Sequence, residues 1–352
     1  MTPARVLAAR EVYRSAIKHR TVYVVGIAVV CALAFLLNIM VGSSWLTPSQ
    51  VLTEIVSATS GSDSLEASIV WRIRLPVAVM ALLVAAALGV AGVQMQTILN
   101  NPLASPFTLG VSAGASFGAT LAIALGFGVL PFAGSYLIAA NAFVFALVTC
   151  MAIYFLSVLL KASIETIVLA GIALMFLFQA LLGLLQYFAS AEELQAAVFW
   201  TFGSLARSTW PKVSIVAVVV VVTIPLLMRK AWALTALRLG DDEAESLGID
   251  AQRLRLQTFI IVSLLTAVAV SFVGTIGFIG LVSPHIARML VGEDQRFLIP
   301  LSGLVGMAML SVASVVSKVV IPGVLMPIGI VTSLIGIPFF LFLIMRRGRG
   351  YW

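Results

Sequence analysis

Charge is scarce in this chain. Asp, Glu, Lys and Arg make up 10 % of its 352 residues, and none of the four occurs between Leu75 and Leu160. With 61 % hydrophobic residues and a mean hydropathy of +1.14, this composition excludes a soluble domain with one anchor and requires a polytopic membrane protein. Cysteine is nearly absent: Cys31 and Cys150 both fall inside apolar runs, with no disulfide or metal spacing, and read as small buried hydrophobes. His285, after Pro284, has no Cys, Glu or second His beside it and is structural rather than a metal ligand. No Walker A pattern occurs. Gly274, Gly277 and Gly280 flank Phe278 and Ile279 without a following Lys-Ser/Thr, so they mark close packing or a bent helix, not a phosphate loop. No chain of carboxylates lies inside the apolar runs, which argues against an ion-coupled secondary transporter. Nor is there a set of nucleophile, base and metal ligands for a membrane enzyme.

What charge there is sits at the ends of apolar runs. The net charge of +7 therefore reports topology and implies no nucleic-acid partner. Arg5, Arg10, Arg14, Lys18 and Arg20 precede the run Thr21–Val41. At about 20 residues that run is too long for a signal-peptide core of ~7–15, so it is a first span with its N-terminus inside. Gly42–Trp71 is polar, with Trp45 and Trp71 as interfacial anchors. Further spans are expected at Leu75–Leu99, Leu109–Gly126, Ser135–Leu160, Ile164–Phe188, Val213–Met228, Leu254–Val273, Ile276–Leu290, Leu298–Val320 and Ile328–Met345. The fold class is thus all-α, with about ten transmembrane helices and both termini cytoplasmic. Residues 1–20 form a cytoplasmic segment, 21–346 one transmembrane domain, and 347–352 a cytoplasmic tail. Only Arg72, Arg74, Arg207, Lys212 and Lys318 of the 21 Lys/Arg residues then lie outside, as positive-inside bias demands. Two five-span halves would run in opposite directions, an inverted repeat whose local echo is Ser105-Pro106 and Ser283-Pro284.

The exception to the apolar pattern is the loop 229–253. Asp241, Asp242, Glu243 and Glu245 crowd into five positions, bracketed by Arg229, Lys230, Arg238, Arg253 and Arg255. One central charge already costs about 2.5–3.5 kcal/mol on insertion scales, so this segment faces water on the inner side. Glu243, Ala244, Leu247 and Gly248 have the spacing of a short amphipathic helix stopped by glycine. It is either a solvated loop helix or the element on which a cytoplasmic partner pushes.

Between spans two and three, Pro102 and Pro106 end one helix and delay the next. Span three then carries Gly110, Gly114 and Gly118 at four-residue spacing, interleaved with Ser112, Ser116 and Thr120. Small residues so spaced let helices approach closely; the other reading is a smooth polar stripe along a wide path. Gln94, Gln96, Gln179 and Gln186 are helix–helix glue or ligand contacts. Trp200, Trp210 and Phe199 around Gly203-Ser204-Leu205 suit an outer interfacial segment.

Several motifs together resemble a known family. They are Arg74-Leu75-Pro76, Gly92-Val93-Gln94-Met95-Gln96, Asn101 to Pro106 with Leu109-Gly110, and Leu239-Gly240-Asp241-Asp242-Glu243-Ala244 with Ser246-Leu247-Gly248. Gly277 to Arg288, and Pro327-Ile328-Gly329 through Gly336-Ile337-Pro338-Phe339, complete the set. From about Trp71 onward, in order, the chain resembles FecCD-type permeases of binding-protein-dependent ABC importers for ferric siderophores, haem and vitamin B12. The resemblance implies a non-enzymatic permease in a bacterial inner membrane, translocating a bulky iron chelate, with haem or vitamin B12 as alternative cargo. It implies a second permease subunit, two cytoplasmic ATPase subunits holding ATP and magnesium, and a periplasmic or lipid-anchored binding protein, with no cofactor in this chain. It assigns ATPase coupling to Gly240, Asp241, Asp242, Glu243, Ala244, Leu247 and Gly248, and binding-protein docking to Arg74 and Lys318. The family usually has Arg at the positions of Val77 and Lys318, and Glu at that of Leu325. The second permease subunit is either another copy of this chain or a permease of different sequence, and the latter would supply the missing groups.

Overall fold

Each of these ten apolar runs is helical over most of its length in the computed structural model, which describes residues 3–42, 45–59, 65–129, 134–159, 164–321 and 323–346. The helices are α1 (Pro3–Met40), α2 (Pro48–Thr59), α3 (Leu65–Ile69), α4 (Leu75–Ile98), α5 (Val111–Leu125), α6 (Leu137–Leu159), α7 (Ile164–Phe188) and α8 (Ala191–Thr201). There follow α9 (Trp210–Arg229), α10 (Ala231–Leu237), α11 (Asp241–Ser246), α12 (Ala251–Val273), α13 (Ile279–Val291), α14 (Gln295–Val319) and α15 (Ile328–Arg346). No strand occurs among the described residues. The expected tail 347–352 and the span-end Lys161 lie outside them. Among the described residues, seven helical segments (α1, α3–α4, α6, α7, α9, α12 and α14) are long and apolar enough to cross a membrane, while α5, α13 and α15 are apolar but shorter.

The outer segments differ from the plain polar connection read in the sequence. After Val41 the chain forms α2, whose start is a reciprocal cap: the Thr47 N–H donates to Gln50 Oε1 at 2.8 Å, and the Gln50 N–H donates to Thr47 Oγ1 at 3.3 Å. Pro48, at the first helical position, loses no bond there. α3 then runs through a π-helical turn, Val70–Arg74, straight into α4. Pro76 offers no N–H to the preceding turn, and the widened turn accommodates its ring. A second capping box, Ser190 with Glu193, starts α8.

α4 is apolar around its whole circumference and accordingly lies at the centre, with almost every residue buried. It packs against α14, α12, α13, α9 and α1. Small residues make the contacts: a Cβ on Gly92 would lie 1.8 Å from the Gly280 carbonyl oxygen, and one on Gly89 2.5 Å from that of Ser302. Lipid provides little hydrophobic drive between helices, so close backbone approach supplies the cohesion. α5 packs on α6 and α7 as a second layer.

The short α13 is preceded by non-helical backbone. Its polar groups are satisfied within the protein: Ser204 N–H donates to the Val273 carbonyl at 2.7 Å, Gly329 N–H to that of Phe202 at 2.9 Å, and Ile328 N–H to that of Gly203 at 3.2 Å. This junction of Gly203, Gly274 and Gly329 is how irregular chain persists inside an apolar bundle. Phe278, in the left-handed region at φ 66, ends it and starts α13.

Candidate functional site

The acidic loop folds as two short helices on the face where α4, α12 and α14 meet it. α10 buries Ala231, Leu234, Ala236 and Leu237 against the bundle. In α11 only Ala244 is buried, while Asp242, Glu243 and Glu245 face outward and Leu239 and Leu247 flank them exposed. Gly240 and Gly248 both take positive φ, 128 and 79. The first lets the chain enter α11, and the second closes it, with the Ile249 N–H returning to the Ala244 carbonyl at 3.0 Å. Asp250 then caps α12 through the Arg253 N–H at 2.8 Å.

Asp241 differs from the other acids. Both its carboxylate oxygens accept from Arg255, at 2.5 and 2.6 Å, and the same guanidinium donates through Nε to the Ile98 carbonyl at 3.0 Å. One side chain thereby fastens the first residue of α11 to the last of α4. The remaining carboxylates of α11, Asp242, Glu243 and Glu245, form an exposed acidic edge with an apolar rim of Leu239 and Leu247.

A second group of residues, which the sequence reading passed over, lies beside this loop in the turn Glu293-Asp294-Gln295 between α13 and α14. Glu293 accepts from Arg238, at the end of α10, at 2.9 Å and pairs with Arg288 of α13 at 2.9 Å. Arg238 also donates to Asn100 Oδ1 at 2.7 Å, and Arg288 to Gln96 Oε1 at 2.9 Å. Asp294 binds Arg20 of α1 at 3.0 Å and Arg296 at 2.7 Å. The Arg296 guanidinium lies 5.0 Å from the ring centre of Trp232 on α10. Gln295 receives Gln94 Nε2 at 3.0 Å, donates to Thr97 Oγ1 at 2.9 Å, and offers its N–H to Thr235 Oγ1 on α10 at 3.1 Å. The available signal was an acidic pair at the inner end of a span between Arg288 and Arg296, which a reading of span-end cations alone discards. Arg296, donating to the Asp294 side chain, holds that carboxyl below the ordinary carboxylate range; the Arg296 N–H and the nearby Arg20 add to this.

Among the path-or-packing residues, Gln94 and Gln96 thus bridge helices, and both are buried. Gly114 and Gly118 face α6: a Cβ on either would lie 2.9 Å from the Phe145 or 2.5 Å from the Asn141 carbonyl oxygen. Gly110, at φ 81, starts α5 against α7. Ser116 is buried, and Ser112 borders a small cleft with Leu88, Ser105, Phe107, Phe278 and Leu281.

The outer pair is placed differently from a free docking surface. Arg74 is buried, and its Nη1 donates to the Ile39 and Met40 carbonyls at 3.0 and 2.9 Å. Lys318 Nζ donates to the Asn38 carbonyl and Oδ1, both at 2.6 Å, and to the Val41 carbonyl at 3.3 Å. The two cations converge on the carbonyls that α1 leaves unpaired at its C-terminus, where positive charge is favoured. Arg72, two residues before Arg74, is exposed.

The FecCD transport family model matches residues 30–346. A protein of Methanocaldococcus jannaschii, named as an ABC transporter permease, is 39 % identical over 341 residues, covering 95 % of this chain and 97 % of its own. The hemin transport system permease of Yersinia pestis is 34 % identical over 310 residues, 84 % of this chain and 93 % of its own. Among solved structures, a chain described as an inward-facing metal-chelate type ABC transporter superposes with a TM-score of 0.80 at 31 % identity, covering 92 % of this chain and 98 % of that one.

Proposed function

This chain belongs to the FecCD transport family, and from that premise we propose that it carries a ferric siderophore across a bacterial inner membrane. As a family member it is a multi-pass, non-enzymatic permease of an ABC importer, working with ATPase and substrate-binding partners. The chelate is proposed to arrive on an external binding protein and to pass by alternating access as ATPases drive the loop. Hemin and metal-chelate cargoes in the names of its relatives support a bulky metal complex. The alternatives are haem or vitamin B12.

The observation carrying the coupling role is α11. It exposes Asp242, Glu243 and Glu245 on a helix anchored by Ala244 beneath and by Asp241–Arg255 at its start. Gly240, Leu247 and Gly248 shape its two ends. A second permease subunit is expected in the assembled importer. Docking at Arg74 and Lys318 would require both to exchange α1 carbonyls for partner carboxylates, and Arg72 is the neighbouring cation a partner meets first.

The test is uptake into vesicles containing the assembled importer and ATP, with the binding protein presented with a ferric siderophore, haem or cobalamin. Siderophore uptake that stops when Asp242 and Glu243 are changed to Lys, with the ATPases still bound, is the expected result. Uptake of haem or cobalamin alone would replace the cargo. Uptake driven by an ion gradient without ATP would remove the whole reading.

A further inference from the structure

We propose that the turn Glu293-Asp294-Gln295 is the joint that passes movement of the α10–α11 loop into the transmembrane bundle, a reading that rests on the coupling role of α11. Three consecutive side chains divide the work. Glu293 ties Arg238 of α10 to Arg288 of α13, and the same two arginines hold Asn100 and Gln96 at the inner end of α4. Asp294 ties Arg20 of α1 to Arg296, which covers Trp232 of α10. Gln295 joins Thr235 of α10 to Gln94 and Thr97 of α4.

α10 therefore grips the turn at three points, through Thr235, Arg238 and Trp232, and the turn in turn grips α1, α4 and α13. α11 has its own line to α4 through Asp241, Arg255 and the Ile98 carbonyl. A push on the loop cannot displace α10 without either dragging this turn or breaking charge-assisted bonds. The Glu293 bonds are the costly ones to break, because the side chains of Arg238 and Arg288 are only 16 % and 11 % exposed, and a buried cation stripped of its partner is strongly penalised. The path of least resistance is concerted movement of the inner ends of α1, α4 and α13.

The test needs no knowledge of the cargo. Hydrogen exchange is followed in the importer assembled with its ATPases, with and without Mg-ATP, over the α11 segment and over residues 93–98 of α4. In the native chain both segments change on nucleotide binding. In Glu293→Gln the α11 change persists, while the α4 change falls about fivefold, the low end of coupling between distant sites. Thr235→Val removes the bond from the Gln295 N–H, together with the hydroxyl's own bond to the Ala231 carbonyl within α10, at nearly constant shape and gives a smaller loss in α4; it carries the test if Glu293→Gln does not assemble. A purely structural role would lower the melting temperature and leave the ratio of the α4 to the α11 response unchanged, and that outcome overturns the joint. No nucleotide response in α11 of the native chain overturns instead the coupling role on which it rests.

Discussion

Gly92 has no room for a methyl group, since the Gly280 carbonyl oxygen occupies the space 1.8 Å from where its Cβ would be. The neighbour is backbone and cannot rotate aside, so α4 and α13 must separate. Gly92→Ala is expected to cost about 1–3 kcal/mol, the usual penalty of overpacking, read as a lower melting temperature in detergent. Gly303→Ala is the control, because the nearest atom there is the end of a Val90 side chain at 3.4 Å. Asp294 is sensitive to protons instead of volume. Its carboxyl is held low by the Arg296 hydrogen bonds and by Arg20, so the stability it adds is complete above the ordinary Asp pKa of about 3.9. That stability is lost as pH falls further, through the depressed value of the folded state. Asp294→Asn should therefore melt below the native chain at pH 6, with the gap closing at the acid end of a pH series. An equal gap at every pH would leave Asp294 with no electrostatic share in the fold.

At the scale of elements, α11 is a helix of six residues held at its ends and by Ala244 beneath. Gly248 at φ 79 meets no atom within 4 Å of its missing Cβ, so a substitution there is opposed by backbone alone. Gly248→Val should cost about 1–2 kcal/mol of local order, the left-handed penalty of an ordinary residue, and Gly248→Asn clearly less. Protease sensitivity confined to 238–250 would report it, and equal behaviour of the two variants would contradict it. The glycine stop of α11 was legible because Gly248 follows Leu247 at the end of an amphipathic spacing, and the ten apolar runs because nothing competes with length and hydropathy. α2 and α3 were not legible. In α2 Val51 is buried and Ile55 packs one turn on, but two apolar positions and the Thr47–Gln50 cap are short signals inside a Ser/Thr-rich stretch, and the five residues of α3 are too few to show a period. The Glu293–Gln295 turn escaped for another reason: its meaning lies in partners as distant in sequence as Arg20 and Gln94. The inward turn of Arg74 and Lys318 escaped likewise, since no local pattern says that a span-end cation will bind the carbonyls of α1.

For the whole molecule, the feature with the widest reach is the unbroken helix Leu65–Ile98. At about 1.5 Å per residue its 34 residues extend roughly 50 Å, well beyond a hydrocarbon core of ~30 Å. It is a mast stepped in the middle of the hull. Its top stands among Trp71, Arg72 and Arg74 on the outer side of the expected topology, and its foot is lashed by Arg255 and Arg288 beside the acidic loop. On the coupling role proposed for α11, news of a loaded binding protein would travel downward along the same spar that takes the stroke upward. We expect binding protein added outside to raise ATP hydrolysis inside. Deleting the half-buried Val79, in the regular α-helical part of α4 below the π-helical turn, would twist the top by about 100° relative to the foot and abolish that stimulation while basal hydrolysis continues. Undiminished stimulation in that variant would mean the message crosses the membrane by some other helix.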